Sequence, residues 1–352
     1  MRHDGGWWRI HLALGVALVA MLGVSACVGA LSFTPAEIGG YLAGLINGSA
    51  PAPEDLLGRN VFLTLRLPRV ILCGVTGAVL GLSGALMQGL FRNPIVEPGL
   101  AGTSAGAALG AALVFVYGGS VTSFTAPLGT TAVPIVAFVG AFGATMLVYR
   151  LSTLFGRTDV LTLLLAGIAV NAVCNAGTGF LSYVARDPQA RNITFWNFGT
   201  FTTADWSGTL LVLAVFLVCL VYTLAHAKSL NALMLGEENA AFLGLEPDRL
   251  IFRLLIVNTA MVAVATAMVG VISFVGLVVP HVLRLTRSSD YRFLVPGSAL
   301  LGAVLMEMFD IVARLVIRPA ELPIGIITAL VGAPVFLWVL VGGRQRRRDA
   351  FV

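Results

Sequence analysis

The sequence predicts an all-α, polytopic membrane protein with about ten transmembrane helices. Of its 352 residues, 58% are apolar, 11% are charged and 40 are glycine. A soluble chain carries roughly 25% charged residues, whereas one membrane crossing takes about 20 apolar residues. The length therefore accommodates on the order of ten crossings, in one domain over residues 1–352. Because the crossings take up nearly the whole length, a large water-soluble catalytic domain is excluded.

Each predicted crossing is an apolar run bounded by charge, proline or glycine. The first run continues through Phe33, longer than a signal-peptide core, so it predicts a crossing although Val24–Cys27 resembles a lipoprotein cleavage box. The eighth run is the weakest, because Pro280 interrupts it, and it predicts a broken or tilted helix. The ten runs are residues 11–33, 68–91, 98–118, 132–155, 160–184, 205–226, 250–270, 273–289, 294–317 and 322–341.

The distribution of basic residues predicts the orientation, because Lys and Arg are retained in the cytoplasm. With the N-terminus inside, fifteen of the 22 basic residues face the cytoplasm and seven face outward. An even number of crossings places the C-terminus inside as well, where the arginines of 344–348 predict a stop signal beside anionic lipid rather than a nucleic-acid contact. The inward residues are Arg2, Arg9, Arg92, Arg150, Arg157, Lys228, Arg249, Arg253, Arg284, Arg287, Arg292, Arg344, Arg346, Arg347 and Arg348. The outward residues are Arg59, Arg66, Arg69, Arg186, Arg191, Arg314 and Arg318.

Several chemistries are excluded or disfavoured by single residue types. Lys228 is the only lysine and lacks the preceding glycine of a P-loop, so the chain does not bind ATP in that way. The four cysteines each fall inside an apolar run, which predicts small buried hydrophobes. No nucleophile and base cluster, and no metal-ligand spacing occurs, so neither a catalytic residue nor a metal site is predicted and a membrane enzyme is disfavoured. The histidines are scattered at His3, His11, His226 and His281.

Glycines at four-residue spacing predict close packing of two helices against protein rather than lipid, because small residues let backbones approach. They do not by themselves distinguish a transporter from any other compact bundle. The second run carries Gly77 and Gly81, with Gly74 and Gly84 beside them, and the third run carries Gly102, Gly106 and Gly110.

The longest polar connection, 227–249, predicts two short amphipathic helices around a glycine corner at Gly236. Such an element lies on the membrane surface or fills a groove on a partner protein. Surface helices carry Lys or Arg on their polar face, whereas this one carries Glu237, Glu238 and Glu246. The pattern therefore favours a partner.

Three outward arginines admit two interpretations. Arg66 and Arg69 flank Pro68 at the start of the second run, and Arg314 lies four residues after Asp310. They are either snorkelling anchors at helix ends or a cationic docking surface for an acidic partner. The i, i+4 spacing also predicts an ion pair between Asp310 and Arg314.

A rival function is an ion-coupled secondary transporter, which requires ionisable groups within the membrane. Glu307 and Asp310 are the acidic candidates inside a predicted crossing. Since an ion pair with Arg314 accounts for Asp310, and no His or Lys relay accompanies Glu307, this alternative is the weaker one.

Four blocks of sequence resemble the membrane permease of the ABC importers for iron chelates, haem and cobalamin, the type II importer permease family. They occur in that family's order and spacing over nearly the whole chain, although many relatives have Asp where Glu97 stands. The blocks are RLPRVILCGVTGAVLGLSGALMQGLFRNPIVEPGLAGTSAGAALG at 66–110, GEENAAFLGL at 236–245, FVGLVVPHVLRL at 274–285 and DIVARLVIRPAELPIGIITALVGAPVFLWVL at 310–340.

The resemblance implies a ten-helix bundle like that of the cobalamin-importer permease. It implies a homodimer in the bacterial inner membrane with a translocation path along the dimer axis. Each subunit would dock a cytoplasmic ATP-binding cassette ATPase, which holds the ATP and Mg²⁺, and the dimer would share one periplasmic substrate-binding protein. This chain would bind no cofactor itself. The segment 185–206 is most similar to haem-importing members, with siderophore permeases next and cobalamin permeases third.

The resemblance also assigns residue roles. Residues 228–245 would be the coupling helices that contact the ATPase, and Arg66, Arg69 and Arg314 would pair with glutamates of the binding protein. The fifth crossing would line the path, which makes Asn171 and Asn175 candidates there, with interhelical hydrogen bonds as their alternative role. The predicted ATPase contacts are Leu235, Gly236, Glu237, Glu238, Ala241, Leu243 and Gly244.

Overall fold

The computed structural model describes residues 6–29, 31–47, 55–119, 128–153, 160–286, 288–318 and 320–349. Across these ranges the chain is helical and forms no β-strand. Four residues used in the sequence analysis, Arg2, His3, Arg157 and Arg287, lie outside them.

Fifteen α-helices follow one another along the described ranges. A π-helical turn (Phe62–Arg66) joins α3 to α4, and 3₁₀ turns (Pro98–Ala101 and Gly129–Thr131) precede α5 and α6. The helices are α1 (Trp7–Cys27), α2 (Pro35–Asn47), α3 (Leu56–Val61), α4 (Leu67–Leu90), α5 (Thr103–Tyr117), α6 (Ala132–Ser152), α7 (Val160–Val184), α8 (Gln189–Asn197), α9 (Trp206–Ala225), α10 (Ala227–Leu233), α11 (Glu237–Phe242), α12 (Pro247–Val269), α13 (Val275–Thr286), α14 (Tyr291–Leu315) and α15 (Ile324–Asp349).

Ten of these helices correspond to the ten predicted crossings. Seven segments are long and apolar enough to span a membrane: those built on α1, α4, α6, α7, α9, α12 and α14. The helix α5, the helix α13 and the apolar part of α15, Ile324–Leu337, are shorter. At about 1.5 Å per residue, the twelve residues of α13 reach only about 18 Å, short of the ~30 Å hydrocarbon core.

Helix α4 forms the centre of the bundle and packs against α14, α13, α12 and α9. In its most apolar stretch 89% of residues are buried, against 11% for α1 at the periphery. The predicted glycine contacts are present: a Cβ on Gly77 would collide with the carbonyl of Gly302, and one on Gly84 with the carbonyl of Gly276. The same relation holds between Gly106 of α5 and Gly140 of α6.

The first crossing differs from its predicted limits, because α1 begins at Trp7 and ends at Cys27 instead of continuing to Phe33. Val28 is extended, with φ −98° and ψ 134°. Phe33 then turns back and packs its ring against Tyr41 of α2 and Phe62 of the π-turn. Apolar composition alone does not mark this end, since Phe33 is buried against other parts of the protein, whereas Leu31 before it is exposed.

The eighth crossing is shorter than predicted, and its interruption lies elsewhere. Helix α13 runs without a break across Pro280, whereas residues 270–274 before it are not helical. Inside the membrane, non-helical backbone occurs only where it is buried in protein or lines a cavity, so that its hydrogen bonds are satisfied there. The short length of α13 thus places a non-helical segment inside the bundle.

Candidate functional site

A cavity of about 370 Å³ lies between α4, α5, α7, α8 and α12. Two non-helical segments form part of its wall: residues 97–100, which precede α5, and residues 271–274, which precede α13. Since α5 and α13 are too short to span on their own, their ends and this cavity fall at membrane depth.

Three asparagines line the cavity, together with Glu97, Ser104 and Ser273. Asn171 and Asn175 of α7 line it together, one helical turn apart, and Asn197 joins them from the end of α8. The amide of Asn171 donates through Nδ2 to the carbonyl of Gly99 at 3.0 Å, while its Oδ1 is buried without a hydrogen-bond partner. Both predicted residues therefore reach one cavity, and Asn171 also makes a hydrogen bond within the bundle, to the 3₁₀ turn before α5, so its role in the path stays a prediction. Asn197 was not predicted, because nothing in its local pattern shows that α8 turns toward the bundle.

The backbone around the cavity adopts left-handed conformations that its hydrogen bonds stabilise. Gly270 has φ +78°, and a Cβ there would collide with the carbonyl of Trp196. Thr200 N–H donates to Val269 O at 2.8 Å, and Gly325 N–H donates to Phe198 O at 2.7 Å. These bonds satisfy polar groups that lipid could not, and they hold the end of α8 against α12 and α15.

The two non-helical walls of the cavity lie against each other. A Cβ on Gly276 would lie 3.3 Å from Pro98 Cδ, and Glu97 and Phe274 line the cavity beside this contact. Phe274 has φ +70°, a conformation in which a bulky residue is rare. The strained turn therefore lies next to the wall that residues 97–100 form.

The polar connection after α9 forms the predicted pair of short helices, α10 and α11. We term residues 227–245, which contain both helices, the helical corner. Gly236 separates the helices with φ +107°, and Gly244 follows α11 with φ +83°. Leu230, Leu233 and Ala240 are buried against the bundle.

The opposite face of the helical corner is exposed and apolar. Leu235 and Leu243 are each 64% exposed and Phe242 is 87% exposed. Phe242 was missed by the sequence analysis, since the amphipathic pattern does not indicate which apolar residues face away from the bundle. Ala241, Gly244 and Glu238 are exposed on the same element, whereas Gly236 and Glu237 are half-buried.

The helical corner is attached to the N-terminus of α14. Asn231 of α10 donates through Nδ2 to Asp290 Oδ1 at 2.8 Å, and Tyr291 N–H donates to Asn231 Oδ1 at 2.9 Å. Burial raises the pKa of Asp290, but hydrogen bonds from Arg292 and Asn231 outweigh it and hold the pKa below its ordinary value. The carboxylate is thus ionised where it caps α14 and fixes α10.

At the other end of the bundle, three arginines and two acids form what we term the arginine cluster. Asp310 is its centre: Arg69 Nη2 lies 2.8 Å from Asp310 Oδ1 and Arg314 Nε lies 2.9 Å from Asp310 Oδ2. Arg69 also contacts Glu321 at 2.7 Å. The predicted pair between Asp310 and Arg314 is therefore present. The members of the cluster are Arg66, Arg69, Arg314, Asp310 and Glu321.

Two members of the arginine cluster bind the end of α1. Arg314 donates to the carbonyls of Ser25 and Val28 at 3.1 and 2.6 Å, and Arg66 donates to the carbonyls of Val28 and Leu31. Arg314 is 2% exposed and Arg66 is 9% exposed. The predicted docking arginines thus lie together, but their guanidinium groups bind partners within the chain, and their role in docking stays a prediction.

Glu307, the other acidic candidate for ion coupling, is fully buried against Gly74 of α4. Neither Glu307 nor Asp310 lines the polar cavity. Over the described ranges, no group of three His, Cys, Asp or Glu side chains is arranged to hold a metal ion. Cys73, Cys174 and Cys219 are free thiols in buried positions, as predicted, whereas Cys27 at the end of α1 is only half-buried.

Comparisons with known proteins agree with this architecture. The model of the FecCD transport family matches residues 17–342. The chain is 41% identical over 290 residues to the hemin transport system permease protein HmuU of Yersinia pestis, covering 82% of this chain and 85% of that protein. It is 41% identical over 296 residues to the vitamin B12 import system permease protein BtuC of Salmonella typhi, covering 82% and 87%.

Solved structures give the same result at the level of the fold. A metal-chelate type ABC transporter in an inward-facing conformation superposes with a TM-score of 0.81 at 30% identity, covering 95% of this chain and 99% of that one. PsaBC from Streptococcus pneumoniae, in complex with Fab, shares the fold at a TM-score of 0.57 and 18% identity, covering 86% and 95%.

Proposed function

Because the chain belongs to the FecCD transport family and is a membrane permease of the ABC importer class, we propose that it carries haem from the periplasm to the cytoplasm of a bacterium. The observation that carries this proposal is the polar cavity at membrane depth, built from the ends of interrupted helices within a matched family fold. The alternatives within the family are ferric siderophores and cobalamin.

The preference for haem derives from the segment 185–206, which is similar to haem-importing permeases. This segment folds as α8 and its flanks, and it brings Asn197 to the cavity beside Asn171 and Asn175. Amide groups both donate and accept hydrogen bonds without carrying charge, so they solvate the carboxylates of haem without trapping them. One 41% identical relative is a hemin permease and another is a vitamin B12 permease. Sequence identity therefore does not decide between the two cargoes, and a transport measurement does.

We place the ATP, the Mg²⁺ and the hydrolysis on a separate ATP-binding cassette subunit in the cytoplasm. The exposed apolar face of the helical corner, with Leu235, Phe242 and Leu243, supports a protein partner over the membrane surface. An apolar face of this kind typically fills a groove on a partner. On this proposal the corner transmits closure of the ATPase to the bundle.

We also propose a homodimer, a shared periplasmic binding protein and cytoplasmic termini in the inner membrane. Helix α7 supports the dimer, since Leu165, Val173 and Phe180 on it are exposed and apolar. A groove of about 600 Å³ between α5, α6 and α7 continues that apolar surface. The arginine cluster lies at the end opposite the helical corner, where a binding protein would dock.

The test is transport by the purified complex. We expect the tagged chain, extracted in mild detergent, to retain a P-loop ATPase in stoichiometric amount. Reconstituted with that ATPase and the binding protein, it should accumulate haem when ATP is supplied, and an uncoupler at constant ATP should have no effect. Faster uptake of cobalamin or of a ferric siderophore would assign the cargo differently.

Variants of the helical corner separate ATPase docking from folding. Phe242→Ala and Leu243→Ala should reduce ATPase retention while the permease stays folded, because both truncate apolar side chains on the exposed face. Leu57→Ala, an exposed apolar site on α3 at the other end, is the control and should retain the ATPase. Uptake abolished by the uncoupler would instead support the ion-coupled transporter and direct attention to Glu307.

A further inference from the structure

The stretch between α4 and α5 touches both the helical corner and the cavity. We term Arg92–Leu100 the connecting segment. It begins beside α11 and ends where Gly99 and Leu100 line the cavity. Since it contacts both elements, its stiffness and its attachments determine whether a movement at one is felt at the other.

The attachment to the helical corner is an ion pair between Arg92 and Glu237 of α11. Arg92 Nη2 lies 2.8 Å from Glu237 Oε1, and the side chains are 35% and 30% exposed. Arg92 has φ +48°, an uncommon conformation for a residue other than glycine. The guanidinium also lies beside Gly236, whose own left-handed backbone sets the start of α11.

Internal hydrogen bonds and two prolines stiffen the connecting segment. Asn93 N–H donates to Gln88 O at 3.2 Å, and Ile95 N–H and Val96 N–H donate to Asn93 Oδ1 and Asn93 O at 3.1 and 3.3 Å. Pro94 and Pro98 fix two further φ angles. With these torsions held, displacement of Arg92 moves the segment as a unit rather than bending it.

The attachment to the cavity is double. Pro98 packs against Gly276, two residues after the strained turn at Phe274, because a Cβ on Gly276 would lie 3.3 Å from Pro98 Cδ. Gly99 O accepts a hydrogen bond from the amide of Asn171. Phe274 in turn is wedged against Gly332 of α15, because a Cβ on Gly332 would collide with the Cβ of Phe274. A shift of the connecting segment therefore moves two walls of the cavity together.

We propose that the connecting segment is a mechanical link from the helical corner to the cavity, with the Arg92–Glu237 ion pair as one joint and the contacts of Pro98 and Gly99 with the cavity walls as the other. The link rests on the proposed function, since it transmits the movement that the ATPase imposes on the corner. Arg92 and Glu237 are positioning residues in this mechanism: they set the cavity walls through the connecting segment and hold no cargo.

The first experiment uses the reconstituted permease, ATPase and binding protein, and measures haem moved per ATP hydrolysed. Arg92→Glu and Glu237→Arg should each lower this ratio at least about fivefold, and Arg92→Glu should do so with ATPase retention unchanged. The double exchange should restore most of the loss, because the opposite charges meet again. Arg249→Glu breaks the neighbouring pair with Glu246, whose side chains are 73% and 64% exposed, and should leave the ratio unchanged.

A second measurement needs only the purified chain and separates failure of the link from failure of the proposed function. Arg92→Glu should speed hydrogen exchange of the backbone amides in 93–100 and 271–276, and the Arg249→Glu control should not. Unchanged protection of residues 271–276 would overturn the link whatever the cargo. A double exchange no better than the single variants, or loss of the ATPase from Arg92→Glu, would overturn it as well.

Discussion

At the scale of single residues, the arginine cluster is a structural ion-pair network as well as a candidate docking surface. A buried charge that loses its partner destabilises a protein by about 3–5 kcal/mol. Asp310 serves two guanidinium groups, and the arginine cluster binds the last carbonyls of α1. Substitutions here therefore affect folding first, and a docking defect is informative only in a variant that stays folded.

Arg69 is the member in which docking can be tested, because it is the most exposed of the three arginines and its second partner, Glu321, is 26% exposed. We expect Arg69→Gln to weaken binding of the substrate-binding protein about tenfold at low salt, with less effect at high salt, because a lost charge reduces electrostatic attraction. Binding is measured by surface immobilisation of the folded permease.

The control for Arg69 is Arg186→Gln, an exposed arginine at the same end of the bundle. The affinity of Arg186→Gln for the substrate-binding protein should stay within about twofold of that of the unaltered permease, since an isolated surface charge contributes little. Unchanged affinity in Arg69→Gln, with a lowered unfolding temperature, would leave the arginine cluster as an anchor for α1 alone.

The sequence predicted individual residues where their partners are close along the chain. The pair between Asp310 and Arg314 follows from i, i+4 spacing on one helix, and the structure confirms it. The contact between Arg69 and Asp310 joins residues 241 positions apart. Local spacing does not encode such a contact, and the same holds for Asn197 at the cavity and for the bond from Asn171 to Gly99.

At the scale of elements, the glycine spacing predicted which helices pack closely but not against what. Gly84 lies against the carbonyl of Gly276 on α13, so the backbones of α4 and α13 touch at that point. We expect Gly84→Ala to destabilise the fold by about 1–3 kcal/mol or more, because the added methyl group overpacks a backbone contact. Thermal unfolding in detergent measures the loss.

Gly23 on α1 is the matched control for Gly84. It also lies in a helix, but a Cβ there would meet no atom within 4 Å. Gly23→Ala should therefore leave stability unchanged or raise it by about 0.5–1 kcal/mol, since alanine loses less backbone entropy in a helix. A similar unfolding temperature for both variants would show that the α4–α13 contact adapts to side chains.

The ends of helices were predictable where the sequence changes from apolar to polar. They were not predictable where contacts inside the protein, rather than a change in polarity, end the helix. Helices α6, α7 and α9 lie close to their predicted limits, since polar or charged residues end them. The ends of α1 and the start of α13 depend on contacts with α4, α8 and α14, which an apolar run does not reveal. Helices α2, α3 and α8 are short, so tertiary packing rather than intrinsic helix propensity stabilises them.

At the scale of the whole molecule, composition predicted an all-helical bundle with about ten crossings, and charge predicted its orientation. The structure divides those crossings into seven long segments and three short ones. The helical corner lies at one end of the bundle and the arginine cluster at the other, with the cavity between them. Orientation in the membrane decides which end meets ATP, so the proposed mechanism requires the corner to be cytoplasmic.

Cysteine labelling tests this orientation directly. In a background where Cys27, Cys73, Cys174 and Cys219 are replaced by alanine, single Asn60→Cys and Glu238→Cys variants place one thiol at each end, both at exposed positions. A membrane-impermeant maleimide added to spheroplasts should label Asn60→Cys alone, because the positive-inside rule places α11 in the cytoplasm. Inverted vesicles should give the opposite result, and permeabilised membranes should label both. Labelling of Glu238→Cys in intact spheroplasts would place the helical corner outside, where no ATPase could reach it, and would contradict both the orientation and the mechanism that depends on it.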